Sequence, residues 1–287
     1  MQIIIFIILL IILGLFFYMW RELHIMLVLH LNLKNQKNSE DLKSIKKYLK
    51  TSDNFKIASW YMPVKNPKAV LILIDGYKSI DGERARMFAH TEYLKSAGYS
   101  TLIIDLRSFG ESDGKKISLG VNEWRDVEAA YDYLKSLPEN INKKIGFLGI
   151  SMGATVSIVT KGVTGKGDFI IASTPYSSFK SLFDFRLSKM RLPSFLFLPI
   201  LRIVALFELG FNYGKYTAIN MINKVNVPIL IISAKQDKIV NLNDAKIIYD
   251  KATNPKEYWQ SNSPHGVFTH NPQEFKKRVL EFLSKHV

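Results

Sequence analysis

Cysteine is absent from the 287-residue chain, which excludes a disulfide framework and any cysteine-ligated zinc site and leaves the redox compartment open. The net charge of +14 lies mostly in single lysines on otherwise mixed stretches. A concentrated basic stripe with interleaved aromatics is missing, so no nucleic-acid partner is expected and the charge reads as a solvated surface. Such a surface gains from an anionic lipid leaflet. His24 and His30 have no further ligands at metal-binding spacing and read as interfacial polar residues. At 47% hydrophobic, the chain can bury the core of one large domain, with or without an appendage.

Charge of either sign is also absent from residues 3–20, a nearly all-aliphatic and aromatic run close to the ~20 residues that cross a ~30 Å hydrocarbon core. Phe16, Phe17, Tyr18 and Trp20 gather at its end like an interfacial aromatic belt, and Arg21 closes it. No basic segment precedes the run and no small-residue cleavage site follows, which favours an uncleaved anchor over residues 1–22. Residues 23–54 then form a juxtamembrane helix and linker, and removing residues up to about 35 is expected to release a soluble domain. Arg21, Lys34, Lys37, Lys43, Lys46, Lys47 and Lys50 all follow the span. The positive-inside rule therefore predicts a single pass with the larger part in the cytoplasm.

From residue 55 the hydrophobic period alternates. Apolar runs predict strands at 56–62, 69–74, 100–104, 144–149, 169–171, 229–232 and 258–260. Helical stretches are predicted at 84–97, 122–136, directly after Ser151, 244–252 and 272–285. Apolar strands alternating with helices imply an α/β fold, a mostly parallel sheet covered on both faces over residues 55–287. In such a sheet, reactive groups belong in loops at the carboxyl ends of strands.

One loop of that kind carries Gly149-Ile150-Ser151-Met152-Gly153. A serine hydroxyl is a weak nucleophile unless a base removes its proton, so a reactive serine must be held where a histidine and a substrate both reach it. A sharp strand-to-helix turn does this, and it needs glycine where a side chain would strike the neighbouring backbone. The plainer alternative is a tight turn in which Ser151 caps the following helix.

Partners for Ser151 stand in two later loops. Asp237 follows the strand at 229–232 and can orient a histidine, while Asn241 and Asn243 are better placed to cap the next helix. His265 lies just past the last strand, in Ser263-Pro264-His265-Gly266. His270 competes, but it stands at the mouth of the helix opened by Asn271-Pro272, a solvent-facing place.

With serine, acid and histidine in that chain order, residues 55–287 resemble the α/β-hydrolase superfamily. Ala97-Gly98-Tyr99 leading into Asp105-Leu106-Arg107-Ser108-Phe109-Gly110-Glu111-Ser112 looks like the family's G-Y-x-V…D-x-R-G-x-G-x-S pattern, with Ser108 in place of the first loop glycine. The resemblance is nearest to esterase-like, acylglycerol-lipase-like and serine-aminopeptidase-like members, several of which carry an N-terminal membrane anchor. It implies Ser151 as nucleophile, His265 as base, Asp237 as the acid behind it, and the backbone amides of Tyr77 and Met152 as an oxyanion hole, with Gly149 and Gly153 as the elbow glycines. Many members have His-Gly after the third strand, whereas this chain has Asp75-Gly76, and a carboxylate aimed at the oxyanion would oppose it. A carboxylate hydrogen-bonded within its own loop is the expected arrangement.

Between the strands at 169–171 and 229–232, an insertion at about 176–215 holds Leu192-Pro193-Ser194-Phe195-Leu196-Phe197-Leu198, with prolines, Arg202 and Glu208 arguing against a second span. It is expected to form a helical lid over an acyl or other hydrophobic substrate, with helices simply packed on the sheet as the equal alternative. The resulting expectation is a membrane-anchored serine hydrolase of a carboxylic ester, with thioester or amide as variants. Its partners are a small acyl or ester substrate and the bilayer; no metal, organic cofactor or obligate protein partner is implied. A catalytically inactive hydrolase fold serving as a binding module at the membrane is the alternative, and Asp75 is the residue in its favour.

Overall fold

The computed structural model describes residues 2–28, 44–77, 83–211 and 213–287. It opens with helix α1 (Gln2–Val28), followed by strands β1 (Ile45–Lys50), β2 (Lys56–Met62) and β3 (Val70–Ile74). Helix α2 (Glu83–Ser96), strand β4 (Ser100–Ile104), helix α3 (Trp124–Ser136) and strand β5 (Ile145–Ile150) come next. Helix α4 (Met152–Thr164) leads to strand β6 (Ile170–Ser173), and helices α5 (Phe179–Lys189) and α6 (Ser194–Leu209) form the insertion. A short α7 (Ala218–Met221) precedes β7 (Ile229–Ala234), α8 (Leu242–Lys251) and β8 (Lys256–Ser261), and the chain closes with α9 (Val267–His270) and α10 (Pro272–His286).

The strands form one sheet in the order β1-β2-β4-β3-β5-β6-β7-β8. β2 runs antiparallel to both β1 and β4, and the other pairs are parallel. β3, β4 and β5 are buried at every position, as expected of unbroken aliphatic strands covered on both faces. Alternate side chains feed two cores. Ile72 and Phe147 share one with Val127 of α3 and Val156 of α4, and Leu71 and Leu148 share the other with Phe275 and Phe282 of α10.

One feature departs from the sequence reading. β1 lies inside the stretch assigned to the linker, so the sheet begins ahead of residue 55. Its Ile-Lys-Lys-Tyr-Leu-Lys sequence buries Leu49 alone at an exposed edge, and three lysines hide the alternation that marks a strand. α1 runs as one helix to Val28, so the start of the juxtamembrane stretch continues the apolar helix.

The first part of α1 stands clear of the domain with exposed apolar side chains, whereas Met19, Leu23 and Leu27, spaced four apart on one face, are buried in the core that α6 shares. His24, stacked on Trp20, meets Glu208 of α6 at 3.1 Å, and Glu208 also pairs with Lys116 at 2.6 Å. His30, Lys34, Lys37 and Lys43 lie outside the described residues.

Candidate active site

Parallel register brings the carboxyl ends of β3, β5 and β6 level, with Ile74 beside Gly149 and Gly149 beside Ala172. Ser151 follows at once, at φ 53° and ψ −113°, a backbone conformation that non-glycine residues rarely adopt. The crossing of chains explains why the turn is held. A Cβ on Gly149 would stand 2.3 Å from the Gly153 carbonyl oxygen, and one on Gly153 would stand 2.2 Å from that of Ile74. The Ser151 amide donates to Ser173 O at 2.8 Å, but its side chain makes no capping hydrogen bond to α4. The hydroxyl is thereby left to a cavity of about 350 Å³ that it shares with His265.

Asp237 is fixed by its own turn, Oδ1 accepting from the amides of Ile239 at 2.8 Å and Val240 at 2.9 Å. Its other oxygen, Oδ2, lies 2.6 Å from His265 Nδ1. A carboxylate accepts, so Nδ1 carries the proton and Nε2 is the ring's available base. Asn241 caps α8, which frees Asp237 from that duty. His270 lines the same cavity, but its Nδ1 meets the Gly266 carbonyl oxygen at 2.8 Å and no acid. Ser151 and His265 face each other across the cavity without a direct hydrogen bond, a contact that commonly tightens when substrate binds.

The loop after β3 passes hard against the serine, since a Cβ on Gly76 would come within 3.1 Å of Ser151 Cβ. Asp75 is bound away into that loop, its Oδ1 accepting from the Gly76 amide at 2.7 Å and from Arg86 Nη2 at 2.5 Å. Burial raises the carboxyl above the ordinary carboxylate range, and the Arg86 charge and the Gly76 amide offset only part of that rise. The Tyr77 hydroxyl donates to the Met26 carbonyl of α1 at 2.7 Å, and burial pushes that phenol up to about 12. Met152 opens α4, so its amide belongs to the positive end of that helix.

Other residues quoted from the sequence have scaffolding roles. Arg107 joins Asp126 of α3, with Nη2 donating at 2.7 Å, to Asp53 before β2, with Nη1 donating at 2.8 Å. Ser108 takes the left-handed conformation at φ 66°, where glycine would sit without strain. Sequence reasoning missed Arg86, Arg186, Tyr176 and Met26, which all line the cavity. A helical arginine usually reads as solvated, and Met26 belongs to a segment taken for a tether, so neither carried a local signal.

The model of the X-Pro dipeptidyl-peptidase (S15) family matches residues 49–184, a span that holds Ser151 but ends before Asp237 and His265. The uncharacterized protein YqkD of Bacillus subtilis is 32% identical over 191 residues, covering 65% of this chain and 62% of that protein. The polyketide transferase claH of Penicillium crustosum is 38% identical over 88 residues, 29% of this chain and 28% of that protein. The match thus spans less than two thirds of the length of either relative. Among solved structures, an esterase of Pyrococcus furiosus superposes with a TM-score of 0.73 at 26% identity, covering 88% of this chain and 95% of that one. These likenesses support ester or peptide hydrolysis as the general class of reaction. The sheet order, the strained serine after β5 and this agreement over nearly the whole length place the chain in the α/β-hydrolase superfamily.

Proposed function

We propose that the chain is a membrane-anchored serine hydrolase that cleaves a carboxylic ester of a hydrophobic acyl substrate. The observation that carries the reading is the 2.6 Å contact between His265 Nδ1 and Asp237 Oδ2, in a cavity that also holds the strained Ser151. Ser151 Oγ attacks the carbonyl carbon while its proton passes to His265 Nε2. The carbonyl oxygen, now negative, is held by the amides of Tyr77 and Met152. Collapse breaks the bond to the alcohol, which leaves with the proton from His265, and Ser151 stays acylated. Water then attacks the acyl carbon, giving its proton to His265, and the acid departs as the proton returns to Ser151 Oγ. Asp237 stays ionised throughout and steadies the imidazolium.

An ester is preferred over an amide because the Pyrococcus furiosus likeness spans almost the whole domain, whereas the peptidase-family match stops before the acid and the base. Anchoring rests on the uncharged run of α1, a helix long and apolar enough to cross a membrane. The basic residues after that run favour a cytoplasmic domain. The bilayer and a small acyl ester are the proposed partners.

A fluorophosphonate probe tests the assignment. Ser151→Ala is expected to abolish labelling and hydrolysis with the fold intact, and labelling that survives would move the nucleophile elsewhere. His265→Ala should lower kcat by about 10³-fold or more. His270→Ala should act far more mildly, because its ring lacks an acid partner. The reverse pattern would exchange the two histidines.

A further inference from the structure

α1 does more than tether the domain. Tyr18, Glu22 and Met26 form one wall of a second cavity, of about 310 Å³, and Phe183, Leu187 and Met190 of the insertion face them. This groove shares Met26, Tyr77 and Arg186 with the catalytic cavity, so the two adjoin where the Tyr77 hydroxyl meets the Met26 carbonyl. Its walls are mostly apolar, and a run of aliphatic carbon suits them better than a polar chain.

Two observations bear on the surroundings of the outer mouth. Residues 2–14 of α1 stand clear of the domain and would run about 20 Å at 1.5 Å per residue, about two thirds of a hydrocarbon core. Trp20 and Arg21 then fall at headgroup level, beside the groove. Independently, the outward face of α6 presents Phe195, Ile203 and Phe207, which share one side of the helix, with Phe211 89% exposed just beyond. An apolar face of that size beside a spanning helix fits a lipid surface.

We propose that the groove between α1 and the lid takes the acyl chain of a membrane amphiphile drawn sideways from the leaflet. The ester carbonyl then reaches Ser151, while the leaving alcohol occupies the opposite side of the cavity, lined by Ile239, Val240 and His270. The proposal rests on the serine-hydrolase reading and adds the class and route of its substrate.

The absence of cysteine makes the test clean. Ile25 lines the groove and is exposed, so Ile25→Cys in the full chain can be blocked with a bulky maleimide after folding. Ile141→Cys, on the exposed loop before β5, is the control. With the protein in phosphatidylcholine vesicles, kcat/KM is measured for 4-nitrophenyl dodecanoate dissolved in the bilayer and for 4-nitrophenyl acetate. Blocking the first variant is expected to lower the dodecanoate-to-acetate ratio at least tenfold, and blocking the control to leave it within twofold. An unchanged ratio, equal losses on both esters, or dodecanoate cleaved from solution but not from vesicles would each overturn the proposal. Protection of the introduced thiol that rises with protein concentration would overturn it too, by putting a second copy of the chain in the groove. If the unlabelled protein neither cleaves acetate nor takes fluorophosphonate at Ser151, the hydrolase reading itself fails and the groove proposal falls with it.

Discussion

Arg86 of α2 holds Asp75 at 2.5 Å, one residue ahead of the glycine that backs the serine. The pair answers the objection that a carboxylate beside the proposed oxyanion site would repel the transition state, because the carboxyl is turned into its loop and held by a guanidinium. Arg86→Met would strand that carboxylate in a buried place, and breaking such a pair costs about 3–5 kcal/mol. The variant should unfold at a clearly lower denaturant concentration and lose turnover as the Gly76 loop shifts. Asp75→Asn should lower turnover or leave it unaltered. Wild-type stability in Arg86→Met, or a tenfold gain in kcat/KM for Asp75→Asn, would show that the pair has no such role.

The glycines around Ser151 are fixed by contact, so a methyl group tests them. Gly153→Ala drives a carbon into the Ile74 carbonyl and must lift α4 from β3. Overpacking of this kind costs about 1–3 kcal/mol, and here it also moves Ser151 and the Met152 amide. Both stability and fluorophosphonate labelling should fall. Gly214→Ala, which has open space around it, should change stability by no more than about 0.5 kcal/mol.

Strands were legible wherever burial on both faces left an unbroken aliphatic run, as at Ile72 and Ile103, and the loops at their carboxyl ends followed because strand ends fix them. That Ser151, Asp237 and His265 lie in such loops was legible for that reason. β1 was not, since one buried leucine among lysines gives no period. Arg86 and Arg186 were invisible because their positions depend on how α2 and α5 pack, a long-range matter with no local pattern. The junction of α1 with α6 was hidden likewise: Met19, Leu23 and Leu27 read as more of an apolar run, and only the fold gives them a partner.

His90 should make the protein acid-sensitive. It is fully buried on α2 against Phe268, with ring centroids 3.9 Å apart, and burial followed by the charges of Arg86 and Lys276 lowers its pKa to about 3. Tyr93 is its hydrogen-bonding neighbour, at 3.3 Å. In the unfolded chain the imidazole titrates near 6.5, so the unfolded state binds the extra proton as pH falls below that value. The contribution of His90 is complete above about pH 6.5 and shrinks by up to about 1.4 kcal/mol per pH unit towards pH 3. Urea unfolding at pH 7, 6, 5 and 4 should show a shallower acid loss for His90→Phe than for the wild type. Parallel curves would mean the ring is not held neutral.

The point at which α1 can be cut separates its two duties. Deleting residues 2–14 removes only the segment that stands clear of the domain, so the remainder should wash from membranes with carbonate and keep its fold. Deleting residues 2–28 also removes Met19, Leu23 and Leu27, whose burial contributes at most about 1.5–3 kcal/mol each. It further strips the Leu27 carbonyl that accepts from the Ile117 amide at 3.0 Å and the Met26 carbonyl that holds Tyr77. At about 2–4 °C per kcal/mol for a domain of this size, the longer deletion should melt at least 5 °C below the shorter one, if it stays soluble. It should also lose ester hydrolysis, since Tyr77 carries one of the two proposed oxyanion amides. Equal melting temperatures and equal rates would show that the helix is a tether alone, and a cut near residue 35, as the sequence by itself suggests, would then be the right one.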